Sequence, residues 1–157
     1  MAQRRRSNAV LSAAAFLSVV MMSGPAWAAT DDACSLITQA EVSTALGSPV
    51  QAGTYVMPTF KNTCTWKYGT SMESVTLNIM SQSMFTASTK NSMGLLEVAP
   101  VSGVGDEAYF VTQANNTRIL ARKGSAGIKV QIYSKSLSKD QVEAKEKAIA
   151  LTAVSRM

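Results

Sequence analysis

Histidine is absent from all 157 residues. That removes the usual general base, the usual partner for activating a nucleophile and the commonest transition-metal ligand. Serine and cysteine hydrolases of the familiar triad type are excluded, and catalysis is left to carboxylates or lysine. Cysteine is nearly absent, with only Cys34 and Cys64. No Cys-x-x-Cys pair exists for redox exchange or for a structural zinc site. After residue 29 no apolar run approaches the length of a membrane-spanning helix.

What the chain does have is a marked beginning. Arg4, Arg5 and Arg6 form a basic start, and Ala9 to Met22 is an almost unbroken apolar run. Gly24 and Pro25 break it, and Ala26-Trp27-Ala28 places small residues at the −3 and −1 positions of a cleavage site. This layout predicts a cleaved signal peptide over residues 1–28, with the cut between Ala28 and Ala29. An uncleaved N-terminal anchor is the alternative. The charge changes with cleavage. Of 15 basic and 10 acidic residues, three arginines leave, so residues 29–157 carry a net +2. The apparent basicity is therefore poor grounds for a nucleic-acid partner. Residues 29–157 suit a single domain with a real core.

In an exported chain a lone cysteine pair reads first as a disulfide. A reactive cysteine would want histidine, and a lipid-modified one would follow a small apolar lipobox. Cys34 instead follows Thr30-Asp31-Asp32-Ala33. A Cys34–Cys64 bridge closes a loop of about 30 residues, worth roughly 3–4 kcal/mol in the chain-entropy model. Beside it lies a well-punctuated short helix. Thr38 and Glu41 make a capping box, and Ile37 with Val42 makes a hydrophobic staple. Gly47 and Pro49 stop the helix after two turns. Such a helix is too short to stand alone and needs tying down.

The remainder alternates. "NTCTWKY" puts Cys64, Trp66 and Tyr68 on one face, and "SVTLNIM" puts Val75, Leu77 and Ile79 inward. Residues 83–96 carry a helical spacing of Met84, Phe85, Ala87 and Met93 in a Ser/Thr-rich setting. "EVAPVSGVGD" reads as a connection into the strand "EAYFVTQ", with a turn at Asn115-Asn116 and a further strand "TRILARK". A hairpin then closes through the loop 124–127. That register pairs Lys123 with Ile128, Ala121 with Val130 and Ile119 with Ile132 on an apolar face. On the other face it pairs Arg118 with Tyr133 and Arg122 with Lys129. Ser138, with Gln141 as its capping-box partner, opens a last helix to about Ser155. The expected fold is α+β: an antiparallel sheet of about five or six strands, with a short N-terminal and a long C-terminal helix packed on it.

Several motifs have plainer readings beside their chemical ones. Gly103-Val-Gly105-Asp-Glu-Ala108 spells a dinucleotide fingerprint, but a strand rather than a helix follows, so it reads as a glycine turn. Ser136-Leu-Ser-Lys139 spells the Ser-x-x-Lys of penicillin-binding enzymes without its companion elements, beside a serine already engaged as a helix cap. Asp106 and Glu107 are a further carboxylate pair. Met57, Met72, Met80, Met84 and Met93 are too dispersed for a Cu(I) site and read as packing residues. No cofactor or metal is implied. Arg118, Arg122, Lys129 and Tyr133 form the candidate binding face, basic and partly aromatic, against the plainer reading of a solvated strand surface.

"CSLITQAEVSTALGSPV", "CTW", "VSGVGDEAYF" and "LARKGSAGIKVQI" followed by a terminal helix resemble small exported bacterial domains of unknown function. These are related to actinobacterial lipoproteins and to the extracellular sensor domains of some mycobacterial receptor kinases. The resemblance implies a disulfide-bearing α+β fold and, in some relatives, ligand sensing or envelope-lipid association. This chain has no lipobox and no kinase, so anchoring, signalling and ligand residues are not carried over. The expectation is a periplasmic or secreted, non-enzymatic binding or interaction module. Its partner would be an anionic small molecule, an envelope lipid or a protein, with no nucleic acid and no membrane span after cleavage. An inhibitor of an envelope or secreted enzyme is the alternative, and a Ser136/Lys139 hydrolase the third reading.

Overall fold

The computed structural model describes residues 32–69, 72–90 and 94–157. The signal peptide expected over residues 1–28 lies outside them, as does Met93. Among the described residues no helix is long and apolar enough to cross a membrane.

Two caps organise the start. Asp32 caps a single helical turn, α1 (Ala33–Leu36), by accepting the Cys34 N–H. Helix α2 (Gln39–Leu46) then begins at Thr38 with the expected capping box to Glu41 and ends at Gly47 in the left-handed region, φ 69°. Ile37 and Val42, the staple pair, are both buried. Cys34 is bonded to Cys64 with a Cα–Cα distance of 5.0 Å, which fastens α1 to the sheet. The bridge fits an oxidising, non-cytoplasmic compartment.

Seven antiparallel strands follow: β1 (Thr54–Met57), β2 (Phe60–Tyr68), β3 (Glu73–Ser81), β4 (Glu97–Pro100), β5 (Glu107–Gln113), β6 (Asn116–Lys123) and β7 (Ala126–Tyr133). They form one sheet in the order β1-β2-β3-β7-β6-β5-β4. The fold class stands as expected, with one or two more strands. The additional β4 lies in what reads as a plain connection and pairs Glu97–Pro100 with Thr112–Tyr109. Proline at an edge position costs no ladder bond, which is why β4 tolerates it.

Alternation assigns the faces. Trp66, Val75, Leu77, Ile119, Ala121, Ile128 and Val130 are buried on one face under α4 (Lys139–Ser155) and α1, with α2 packed against α4. Strand β1 leads in through Gly53, whose backbone passes directly over Trp66 and the Cys64 sulfur; a Cβ there would fall 2.7 Å from the indole nitrogen. On the opposite face α3 (Gln82–Thr89) closes a smaller core of Met80, Phe85, Val111 and Leu120. Helix α3 ends well short of residue 96, with Lys90 already extended. Its Ser/Thr content supplies little intrinsic helicity to carry it further.

The last hairpin is tighter than the expected one. Lys123 faces Ala126, so only Gly124 and Ser125 form the turn. Ala121 opposes Ile128 and Ile119 opposes Val130, two residues from the expected register. On the other face Arg122 lies opposite Gly127 and Leu120 opposite Lys129. A shift of two leaves every side chain on its expected face, because strand alternation repeats every two residues. The preceding turn is also displaced by one. Gln113 pairs with Asn116, and Ala114 and Asn115 make the turn, with Ala114 at φ 53°.

Candidate functional site

The β6–β7 ladder stops at Ile119 and Val130. Continued, it would set Thr117 against Ile132. Instead the two strands part, and both residues line a cleft of about 440 Å³. One wall is the β5–β6 hairpin with Thr112, Ala114, Asn115 and Asn116. The other is the end of β7, with Tyr133 and Ser134, and the start of α4, with Leu137, Lys139 and Val142.

Each wall is held from behind. Thr112 and Thr117 share a buried hydroxyl contact of 3.3 Å across the hairpin. On the β7 side, the Tyr68 hydroxyl donates to the Tyr133 carbonyl at 3.3 Å. The buried Glu73 carboxylate accepts from the Ser134 hydroxyl at 2.8 Å and from the Lys135 N–H at 3.2 Å. These bonds hold the β7 exit toward β2 and β3 and away from β6. The Ile132 N–H, left without a strand partner on that side, donates to Glu146 Oε1 at 2.9 Å. Glu146 is wholly buried, and its Oε2 has no hydrogen-bond partner. Burial pushes this carboxyl up to about 8, helped by Glu143 and opposed by the Ile132 N–H bond and Arg118.

The expected binding face is only partly assembled. By alternation Arg118, Arg122, Lys129 and Tyr133 do share one side of the sheet. Arg122 is engaged there: its guanidinium donates to Glu107 Oε2 at 3.2 Å and to the Gly124 carbonyl at 2.7 Å. The Tyr109 hydroxyl and Arg122 together hold the Glu107 carboxyl below its ordinary value. Lys129 is half-buried against the core residue Leu120; burial first, then Arg118, lowers its ammonium. Tyr133 stands at the far end of β7, about 20 Å along the strand from the Arg122 position. It is 41% exposed and belongs to the cleft. Arg118 and Lys129 are thus the cations of this face that are close enough to act together.

The remaining sequence motifs have local partners. Gly105 takes φ 61° with the Arg122 carbonyl against it, and β5 follows, as the glycine-turn reading requires. Asp106 accepts the Gly124 N–H at 2.7 Å. Ser136 Oγ lies 3.4 Å from Glu73, whereas the Lys139 ammonium pairs with Glu97 at 3.6 Å and Glu143 at 3.7 Å. Ser138 caps α4, with its capping box to Gln141.

The residue that sequence reasoning missed is Glu146. Its signal is a carboxylate on the buried stripe of α4, four residues after Val142 and three before Ile149. No protein-family model, curated protein sequence or solved structure matches this chain.

Proposed function

We propose that the protein is a periplasmic or secreted binding module, without catalysis of its own, that holds a small polar ligand in the cleft between β6 and β7. The observation that carries this reading is the interruption of an otherwise continuous antiparallel ladder by a concave, mostly polar opening. Small-molecule sites are concave and preformed, with a few converging polar groups. Here the convergence is of Thr112, Asn115, Asn116, Thr117 and Ser134 with the Tyr133 ring over an apolar base of Ile132, Leu137 and Val142. The leader-like first 28 residues, the disulfide and the resemblance to exported sensor domains support the location and the class.

The test is to isolate the protein from its native envelope with the disulfide intact and analyse co-purifying small molecules by mass spectrometry. Recovery of one compound from the wild-type protein, and its loss from a Thr117→Trp variant that fills the cleft, is the expected result. Repeated recovery of nothing, with no partner by crosslinking, overturns it.

A second reading, an inhibitor or partner of an envelope enzyme, is favoured by the β1–β2 hairpin. Its tip exposes Val56, Met57 and Phe60 around a small apolar groove. Inhibition of an envelope hydrolase that disappears in Phe60→Asp supports this reading over small-molecule binding.

A further inference from the structure

The cleft described above is electrically neutral at its walls. Glu97 and Lys139 are the charged groups in its lining, and they pair with each other at 3.6 Å. The other polar wall groups are hydroxyls and amides. Behind this neutral lining lies a group whose chemistry is unspent. Glu146 Oε1 is committed to the Ile132 N–H, and Ile132 is itself a wall residue. Glu146 Oε2 is buried without a partner, one helical turn below the wall residue Val142. The carboxyl fills the place where a strand-to-strand bond between β7 and β6 would have formed. It is therefore at the back of the opening rather than elsewhere in the core.

A buried polar atom without a partner is costly, and native proteins seldom keep one without a use. An apolar residue at position 146 would pack against the same neighbours and leave the Ile132 N–H to water in the cleft. A ligand with hydroxyls alone would be satisfied by the walls and would leave Oε2 as it is. An anion could accept the carboxyl proton, but it would bring a charge that no unpaired cation of the lining neutralises. A cationic donor takes the place of the carboxyl proton and leaves Oε2 paired as a carboxylate oxygen.

We infer that the cleft takes a ligand bearing a primary ammonium group, which reaches between Ile132 and Val142 to pair with Glu146 Oε2. This rests on the binding reading above and names its ligand class. The other charged groups near the carboxyl are Glu143 on α4, Arg118 across the sheet and the Glu97–Lys139 pair at the mouth. In the empty protein burial keeps the Glu146 proton on at neutral pH. Pairing with a cation favours the carboxylate, so binding an ammonium ion releases that proton to solvent.

The experiment uses the disulfide-intact protein at pH 7 and two matched pairs of probes, glucosamine against glucose and 1,4-diaminobutane against 1,4-butanediol. Amide resonances of Thr117, Ile132 and Val142 report occupancy of the cleft. The amines should bind at least tenfold more tightly than their hydroxyl counterparts. Calorimetry in buffers of different ionisation enthalpy should show close to one proton released per amine bound. Glu146→Gln keeps an oxygen for the Ile132 N–H and should lose both the amine preference and the proton release. Equal affinity within each pair, or amine binding without proton release by the wild-type protein, overturns the inference. Should the hydroxyl probes still shift these resonances, the binding module survives without its ammonium site. Should none of the four shift them, the ammonium site falls, and the co-purification result alone decides the wider reading.

Discussion

The two ends of the β6–β7 pairing are made from the same two strands and behave oppositely. At the hairpin end the ladder runs to the turn, and β5 and its preceding loop seal it. The Asp106 N–H donates to the Arg122 carbonyl at 2.8 Å, the Asp106 carboxylate accepts the Gly124 N–H, and Arg122 ties back to Glu107. At the other end the ladder is abandoned three residues early, and a side chain from α4 accepts the Ile132 N–H instead. The closed end spends its polar groups on itself; the open end leaves an oxygen and a cleft. Backbone groups must be satisfied wherever they lie buried, but the source of the partner decides whether the result is sealed or available.

Changing one end at a time breaks the comparison, and the largest effect belongs to the open end. Glu146 titrates near pH 8 when folded and near 4.5 when unfolded. Between those values the unfolded chain gives up the proton and the native state keeps it, so stability falls as pH rises and levels off above about 8. Glu146→Gln removes that loss. Urea unfolding should show the variant more stable by ~3–5 kcal/mol at pH 9 and within ~1 kcal/mol at pH 4. A pH-independent difference would show that the carboxyl does not titrate as a buried acid.

Next comes the crosslink, which touches neither end. Cys34→Ser with Cys64→Ser should cost roughly 3–4 kcal/mol and leave the pH slope of stability unchanged. A changed slope would tie the bridge to the open end. Gly105→Ala strikes the closed end: a Cβ there falls 2.3 Å from the Arg122 carbonyl, at φ 61°. A loss of ~2–4 kcal/mol, again with an unaltered pH slope, is expected from denaturant unfolding. The smallest effect is at the open end's own turn. Ala114→Gly relieves a left-handed alanine and should gain ~0.5 kcal/mol, after the entropy cost of glycine.

Much of the fold away from the β6–β7 pairing is legible in the residues. Capping boxes at Thr38 and Ser138, the Gly47 stop and the buried alternation of β2 and β3 follow from local rules and appear in the structure. Alternation states which face a residue occupies, but not its partner, and this is how the last hairpin slips by two residues without moving any side chain across the sheet. Strand β4 is hidden because four residues including a proline carry too little pattern. The cleft is the least legible part. It arises where a ladder fails to continue, and no local sequence rule marks that place. Its buried acid carries one faint mark, a charged residue on the helical stripe of Val142, Ile149 and Ala153, and the flanking Glu143, Lys145 and Lys147 draw the eye away from it. Likewise Arg122 gives no sign in sequence that Glu107, fifteen residues away, already holds it.

Of the two tryptophans in the sequence, Trp66 is the one among the described residues, and its ring crowds with the Cys64 sulfur beneath Gly53. An excited indole readily passes an electron to an adjacent S–S bond, so emission from the oxidised fold should be dim. Reduction of the bridge should brighten it, which makes the molecule its own optical gauge of oxidation state.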